Sequence, residues 1–294
     1  MLKKSLSFLL VLLLLLSSAL AEGSFTVTDR FGREITLDGP VTRIAALTAA
    51  DCEILCALGC EDALVGVGAY CDYPPSIADL PVVESGLETN LEQILALEPQ
   101  VVLMSDMNQS LELVEALEAA GVRVVENRAT DIEGVYAGIA MIGELMNRTA
   151  EADALVTDMR SAFDAIASQA ENSGKTVYFE VSPLEWGLWT AGANTFLDEL
   201  ASLCGLTNAF ADVDGWCAIS EEQVLARDPD YIVTTATWFG EGPTPVEEIM
   251  ARPGWDSIRA VAEGRVFNAD PNETSRPGPR LKDAAEALYE FISK

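Results

Sequence analysis

One segment of this chain occurs twice. Leu91-Glu92-Gln93-Ile94-Leu95-Ala96-Leu97-Glu98-Pro99-Gln100-Val101-Val102 returns at an offset of 130 residues as Glu221-Glu222-Gln223-Val224-Leu225-Ala226-Arg227-Asp228-Pro229-Asp230-Tyr231-Ile232. In each copy a helical run is stopped by an acidic residue and a proline, and an apolar run starts directly after it. Proline has no N–H to donate and disfavours the helical conformation of the residue before it, so each copy reads as helix, stop, buried strand. A supersecondary unit that recurs at this distance points to two similar lobes.

The segments around the two copies agree. Phe25-Thr26-Val27-Thr28-Asp29 and Glu34-Ile35-Thr36-Leu37 alternate about Gly32 and predict a short hairpin. Arg43–Leu47 reads as a buried strand, and Thr48 with Asp51 three residues on caps a helix that ends near Gly59. Strands at 64–67, 101–104 and 122–125 then alternate with helices at 91–97 and 111–120, the signature of a mostly parallel sheet with helices on its faces. Residues 131–146 predict one helix and 149–170 a second, with Ala152, Leu155, Val156, Met159, Phe163 and Ile166 at helical spacing. Some 22 residues at 1.5 Å per residue extend about 33 Å, long enough to join two lobes. A second strand–helix series begins at Thr176. The expected division is a signal peptide at 1–21, an N-terminal lobe at 22–146, a connecting helix at 147–172 and a C-terminal lobe at 173–294.

Lys3 and Lys4, the apolar run Phe8–Leu16 and the small-residue pattern Ala19-Leu20-Ala21 mark the signal peptide. The run is too short for a membrane span, which takes roughly 18 to 20 residues. An exported, periplasmic or otherwise extracytoplasmic protein is expected, soluble after cleavage, with an uncleaved tether as the alternative. No cysteine follows Ala21 to carry a lipid. The net charge of −29 repels nucleic acid and anionic lipid. The chain has no histidine, which removes Ser-His-Asp and Cys-His catalysis, histidine-based metal sites and histidine-ligated haem. Cysteines stand at 52, 56, 60, 71, 204 and 217. Most read as buried thiols without metal-type spacing, and Cys204–Cys217 reads as the most plausible bridge.

Several motifs carry a resemblance that covers nearly all of the mature chain. They are Asp29–Leu37, Arg43–Leu47, Tyr70-Cys71-Asp72-Tyr73-Pro74-Pro75, Asn90-Leu91-Glu92-Gln93, Gly254-Trp255, Gly264-Arg265-Val266 and Ser275-Arg276-Pro277-Gly278-Pro279-Arg280. In this order the chain resembles the helical-backbone class of ABC-importer solute-binding proteins, which includes receptors for cobalamin, ferric siderophores and haem. The resemblance implies an α/β fold of two Rossmann-like lobes joined by a single long rigid helix, with ligand in the cleft between them. It also implies a monomer that is no enzyme, has no cofactor of its own, and delivers a metal-containing chelate to a membrane permease dimer.

In this family one glutamate on each lobe docks onto permease arginines. Glu92 and Glu222 match those positions and occupy the same place in the two repeats. The motifs come nearest to cobalamin receptors: Tyr70, Trp216 and Arg276 match cleft residues, and Trp189 stands where another aromatic is found. With Asp72 and Asn272 these make up the expected ligand-binding set. Gly86 replaces the first-lobe tryptophan, and the C-terminal helix 281–291 lacks the cysteine that pairs with the Cys204 position in that receptor. Trp255 is expected to pack in a core, whereas Trp186 and Trp238 read as core or lobe surface. Trp216, after Asp214-Gly215, is expected on a loop.

Two alternatives stay within the binding class: a ferric-siderophore receptor using Arg276 and Arg280 against an anionic chelate, and a haem receptor with Tyr70 or Tyr73 as the iron ligand. An exported carboxylate-based hydrolase, with Glu180 and Glu185 as acid and base, is the remote alternative.

Overall fold

The computed structural model describes residues 23–86, 88–105 and 110–294; the expected signal peptide lies outside them. Among the described residues no helix is long and apolar enough to cross a membrane. The chain divides into two compact units. The first runs to Asn127 and takes in Met141–Thr149; the second comprises Arg128–Ala140 and Ala150–Lys294.

The first unit opens with the expected hairpin, β1 (Phe25–Thr28) antiparallel to β2 (Glu34–Leu37). Its turn is fixed by Asp29, whose Oδ1 accepts from the backbone N–H of Phe31 and of Arg33, both at 2.9 Å. Then follow β3 (Ile44–Ala46), α1 (Ala49–Ala57), β4 (Leu64–Gly68), β5 (Val82–Val83), α2 (Leu91–Ala96), β6 (Val101–Met104), α3 (Leu111–Ala119) and β7 (Arg123–Glu126). The strands form one parallel sheet in the order β5-β4-β3-β6-β7, with Ile44 opposite Val101 and Ala46 opposite Leu103. Val101 to Met104 are all buried, as a parallel strand covered on both faces requires. Ile94 of α2 and Leu117 of α3 pack with Ala45, Val102 and Met104 on one side of the sheet.

Two helices come next, α4 (Ile132–Leu145) and α5 (Thr149–Gln169), each within a residue of its predicted bounds. The chain enters the second unit at 127/128, returns to the first inside α4 at 140/141, and enters the second again at 149/150, at the start of α5.

In the second unit lie β8 (Thr176–Glu180), β9 (Trp189–Ala191), α6 (Phe196–Leu203), β10 (Thr207–Asn208), β11 (Trp216–Ala218), α7 (Glu221–Arg227), β12 (Tyr231–Thr234), α8 (Pro245–Met250), α9 (Arg259–Ala262), β13 (Val266–Asn268), α10 (Pro271–Thr274) and α11 (Leu281–Ile292). The order β10-β8-β12-β13, all parallel, reproduces β4-β3-β6-β7 of the first unit. The repeat therefore extends well beyond the segment visible in sequence. Thr48 caps α1 and Thr195 caps α6, each accepting from the N–H three residues on at 3.2 Å. Both helices run into a left-handed glycine, Gly59 (φ 68°) and Gly205 (φ 74°). The acidic residues before the two repeat prolines match as well, Glu98 at φ 48° and Asp228 at φ 45°.

Cys204 and Cys217 stand as free thiols in separate elements, which overturns the expected Cys204–Cys217 bridge. Cys204 is buried at the end of α6 and donates to the carbonyl of Ala285 in α11, 3.7 Å away. Cys217 belongs instead to the β9–β11 ribbon, opposite Thr190. Trp255 is fully buried, as expected, and its Nε1 donates to Glu221 Oε2 at 2.8 Å.

Candidate functional site

In open parallel α/β sheets, ligands bind beyond the carboxyl ends of the strands, where the chain leaves the sheet and loops are free to vary. Most of the expected binding residues lie just beyond those ends, within their respective units.

In the first unit β4 ends at Gly68, where a Cβ would come within 2.3 Å of the Leu47 carbonyl oxygen; only glycine allows this approach. The loop that follows is pinned at its base, with Ala69 N–H donating to Ser85 Oγ at 3.1 Å and Cys71 N–H to the Gly68 carbonyl at 3.1 Å. Tyr70 is 76% exposed and Tyr73 42% exposed; Asp72 is also exposed, and Cys71 between them is buried. The loop thus turns Tyr70, Asp72 and Tyr73 outward. At the neighbouring end of β3, Asp51 is fully enclosed. It accepts from Thr48 Oγ1 at 2.5 Å and Asn127 Nδ2 at 2.6 Å, and burial pushes its carboxyl up to about 6 against both hydrogen bonds.

In the second unit a pocket of about 710 Å³ opens beyond β8 and β12. Trp186, Trp238 and Phe239 stand around it, 72%, 51% and 81% exposed. Its ionisable lining residues are Glu180, Glu185, Glu241 and Glu248. Glu180 is buried and held on both oxygens by Arg252, Nη1 to Oε2 at 2.6 Å and Nη2 to Oε1 at 2.8 Å. Arg252 also binds Glu248 and lies 4.4 Å from the centre of the Trp255 ring. Burial pushes the Glu180 carboxyl above its ordinary range, while Arg252 and the Tyr178 hydroxyl draw it back down. With both oxygens committed to one guanidinium, Glu180 is not the free acid or base that a hydrolase requires, and Glu185 is exposed on the rim.

Beside this pocket, β9 and β11 form an antiparallel ribbon in which Trp189 faces Ala218 and Trp216 faces Ala191. Side chains two apart on a strand share a face, so Trp189 and Trp216 are diagonal neighbours on the same side, spaced roughly 7 to 8 Å at the backbone. They are 44% and 40% exposed. Trp216 therefore begins a strand and is not on a loop. Gly215 (φ 67°) makes the expected turn, after which hydrogen bonds between Gly192, Ala193 and Gly215 draw the chain into the ribbon. The Trp216 ring also packs against Phe196, with centroids 5.4 Å apart.

Asn272 and Arg276 follow the end of β13 and are both half-buried; the N–H of Asn272 donates to the Asp270 cap at 2.8 Å. Glu92 and Glu222 are the exposed second residues of α2 and α7. Each helix has a polar cap, Asn90 or Ser220, that accepts from the N–H of Gln93 or Gln223 at 3.1 and 3.4 Å. The Ser220 hydroxyl and the helix-start N–H hold the Glu222 carboxyl below its usual range. Among the described residues no group of three or more His, Cys, Asp or Glu side chains is placed to hold a metal ion.

The pocket aromatics Trp186, Trp238 and Phe239 were not expected as binding residues. A signal for two of them stands in the sequence: Trp238-Phe239-Gly240-Glu241-Gly242-Pro243 is a glycine- and proline-rich stretch, where aromatic rings have little core to enter.

The family model described as periplasmic binding protein matches residues 44–273. An uncharacterized ABC transporter substrate-binding lipoprotein of Bacillus subtilis, YvrC, is 34% identical over 274 residues, covering 91% of this chain and 85% of the relative. A cobalamin-binding protein of Halobacterium salinarum is 31% identical over 269 residues, 88% of this chain and 72% of the relative. The solved structure of an ABC-type Fe3+-hydroxamate transport system from Saccharomonospora viridis superposes with a TM-score of 0.77 at 26% identity, covering 92% of this chain and 99% of that one.

Proposed function

The chain belongs to the periplasmic binding protein family, and from that premise we propose that it captures a corrinoid outside the cytoplasm and passes it to an ABC importer. The pocket beyond β8 and β12 carries this reading. Its exposed rings are indole and phenyl, and its ionisable lining residues are glutamates. Such walls bury the apolar face of a macrocycle and accept hydrogen bonds from amide N–H groups at its edge. An anionic chelate gains less there, since its charge meets like charge. Trp189 and Trp216 extend the aromatic surface, while Asn272 and Arg276 supply polar groups beyond β13. Within the first unit, Tyr70 and Asp72 stand exposed on the loop beyond β4.

Arg276 supports a second reading, a ferric hydroxamate or other iron chelate, consistent with the likeness to the hydroxamate transport protein. Titrating the purified protein with cyanocobalamin, cobinamide, haemin and ferric hydroxamates, with tryptophan fluorescence and calorimetry as readouts, separates the two. Corrinoid binding at micromolar affinity or tighter is expected. A response to an iron chelate with silence to corrinoids transfers the assignment to the second reading, and silence to all four probes overturns both.

Delivery rests on Glu92 and Glu222. Each is exposed in the first turn of a helix that begins at the same point of the repeat. A pair of equivalent carboxylates suits a permease dimer that presents two equivalent cationic sites, because two charge-assisted contacts made together fix one orientation.

A further inference from the structure

Two buried thiols lie together beneath the Tyr70 loop. Cys52, in the first turn of α1, is 0% exposed, and Cys71, three residues past the end of β4, is 8% exposed. Both donate to one acceptor, the carbonyl of Ala46 at the end of β3, at 3.6 Å and 3.8 Å. Sharing that acceptor sets the two thiols side by side, and the Cys71 side chain pushes the Cys52 thiol well above its usual range. The backbone around them is fixed from several sides: β3 and β4 are adjacent parallel strands, Gly68 closes on Leu47, and Cys71 N–H is bonded to the Gly68 carbonyl. The other thiols are placed differently. Cys56 is one turn further along α1, Cys60 donates to the Leu58 carbonyl at 3.6 Å, and Cys204 and Cys217 belong to the second unit.

We propose that Cys52 and Cys71 become a disulfide in the exported protein, fastening the loop that carries Tyr70 and Asp72 to α1. Family membership places the chain outside the cytoplasm, where disulfides form and persist. The reaction removes one hydrogen from each thiol and two electrons in all. A disulfide oxidant, such as an oxidised dithiol or a small oxidised thiol, takes them up and leaves as two thiols: one cysteine thiolate attacks it, and the second displaces the remaining half from the mixed disulfide. In the folded chain, the Cys71 side chain and burial hold the Cys52 thiol protonated, so exchange takes place before α1 and the loop have closed over it. Once formed, the bond is shielded from reductant by the same packing. It closes a loop of about 20 residues, which restricts the unfolded chain and holds Tyr70 and Asp72 in one arrangement before ligand arrives. The cross-link does not depend on which ligand the protein carries.

The test uses the full chain, secreted through its own signal segment and alkylated on harvest to trap free thiols. Trypsin leaves Cys52, Cys56, Cys60 and Cys71 on one peptide, whereas a glutamate-specific protease cuts after Glu53 and Glu61 and separates Cys52, the Cys56–Cys60 pair and Cys71. The expected result is a peptide ending at Glu53 joined to the peptide 62–84, lighter by two hydrogens than the two alone and separated by reduction. Denatured wild type should show four reactive thiols of its six cysteines, and Cys52→Ser five, with Cys71 now alkylated. Hydrogen exchange at 69–73 should be faster in Cys52→Ser than in oxidised wild type. Six reactive thiols in the secreted wild type, or a cross-link from Cys71 to the Cys56–Cys60 peptide, overturns the proposal.

Discussion

Asp51 shows how far the setting of one residue departs from its type. Its sequence context reads as a helix-start partner for Thr48, and that hydrogen bond forms. What the context does not reveal is that Asn127, from the end of β7 and 76 residues away, closes over the same carboxyl. The group is 1% exposed and its pKa is pushed up to about 6. The folded value exceeds the unfolded one, so between about pH 4 and pH 6 the native state keeps a proton that the unfolded chain releases. Stability from this group is complete below the unfolded pKa and is lost as pH rises through 6, a change on the order of 3 kcal/mol. Asp51→Asn should abolish that slope in urea unfolding followed across this window. Equal slopes in variant and wild type would refute the assignment. Cys204 carries a similar lesson: its thiol rests against α11, at the helix where the family resemblance implies a bridging cysteine, and here it donates to the Ala285 carbonyl.

Among the elements, the helices were the most legible, because 3.6-residue periodicity, threonine and serine caps and terminal glycines all agree along single stretches of chain. The β9–β11 ribbon was not. Each strand is three residues long and contains an alanine, too short for alternation to register, and the pairing depends on Gly192, where a Cβ would lie 2.1 Å from the Val213 carbonyl oxygen. The ribbon sets Trp189 and Trp216 on one face, and there they should act on ligand. Replacing either with alanine is expected to weaken corrinoid binding by about tenfold, the loss of one aromatic contact worth roughly 1 to 1.5 kcal/mol. Calorimetry on the two variants checks this. Unchanged affinity in both would remove the ribbon from the binding surface, leaving the Trp186, Trp238 and Phe239 pocket as the remaining aromatic wall.

At the scale of the whole molecule the repeat is the organising fact, and it sets Glu92 and Glu222, the proposed docking pair, at equivalent exposed helix starts. Reversing both, as Glu92→Arg with Glu222→Arg, should abolish uptake of the bound ligand in a transport assay while affinity in solution stays within about twofold, since both side chains are exposed on helix starts and neither is among the residues lining the pocket. Normal uptake by the double variant would exclude the docking role. The sequence by itself determined the two α/β lobes, the helix–proline–strand units, and the functions removed by the absence of histidine. These rest on periodicity, caps and composition, which neighbouring residues settle among themselves. Only the tertiary structure decided the matching strand orders β4-β3-β6-β7 and β10-β8-β12-β13, the ribbon that sets Trp189 and Trp216 on one face, the aromatic pocket beyond β8 and β12, and the convergence of Cys52 and Cys71 on the Ala46 carbonyl. Each depends on segments far apart in the chain packing side by side, and no local pattern encodes which distant partner a strand end or a thiol will meet.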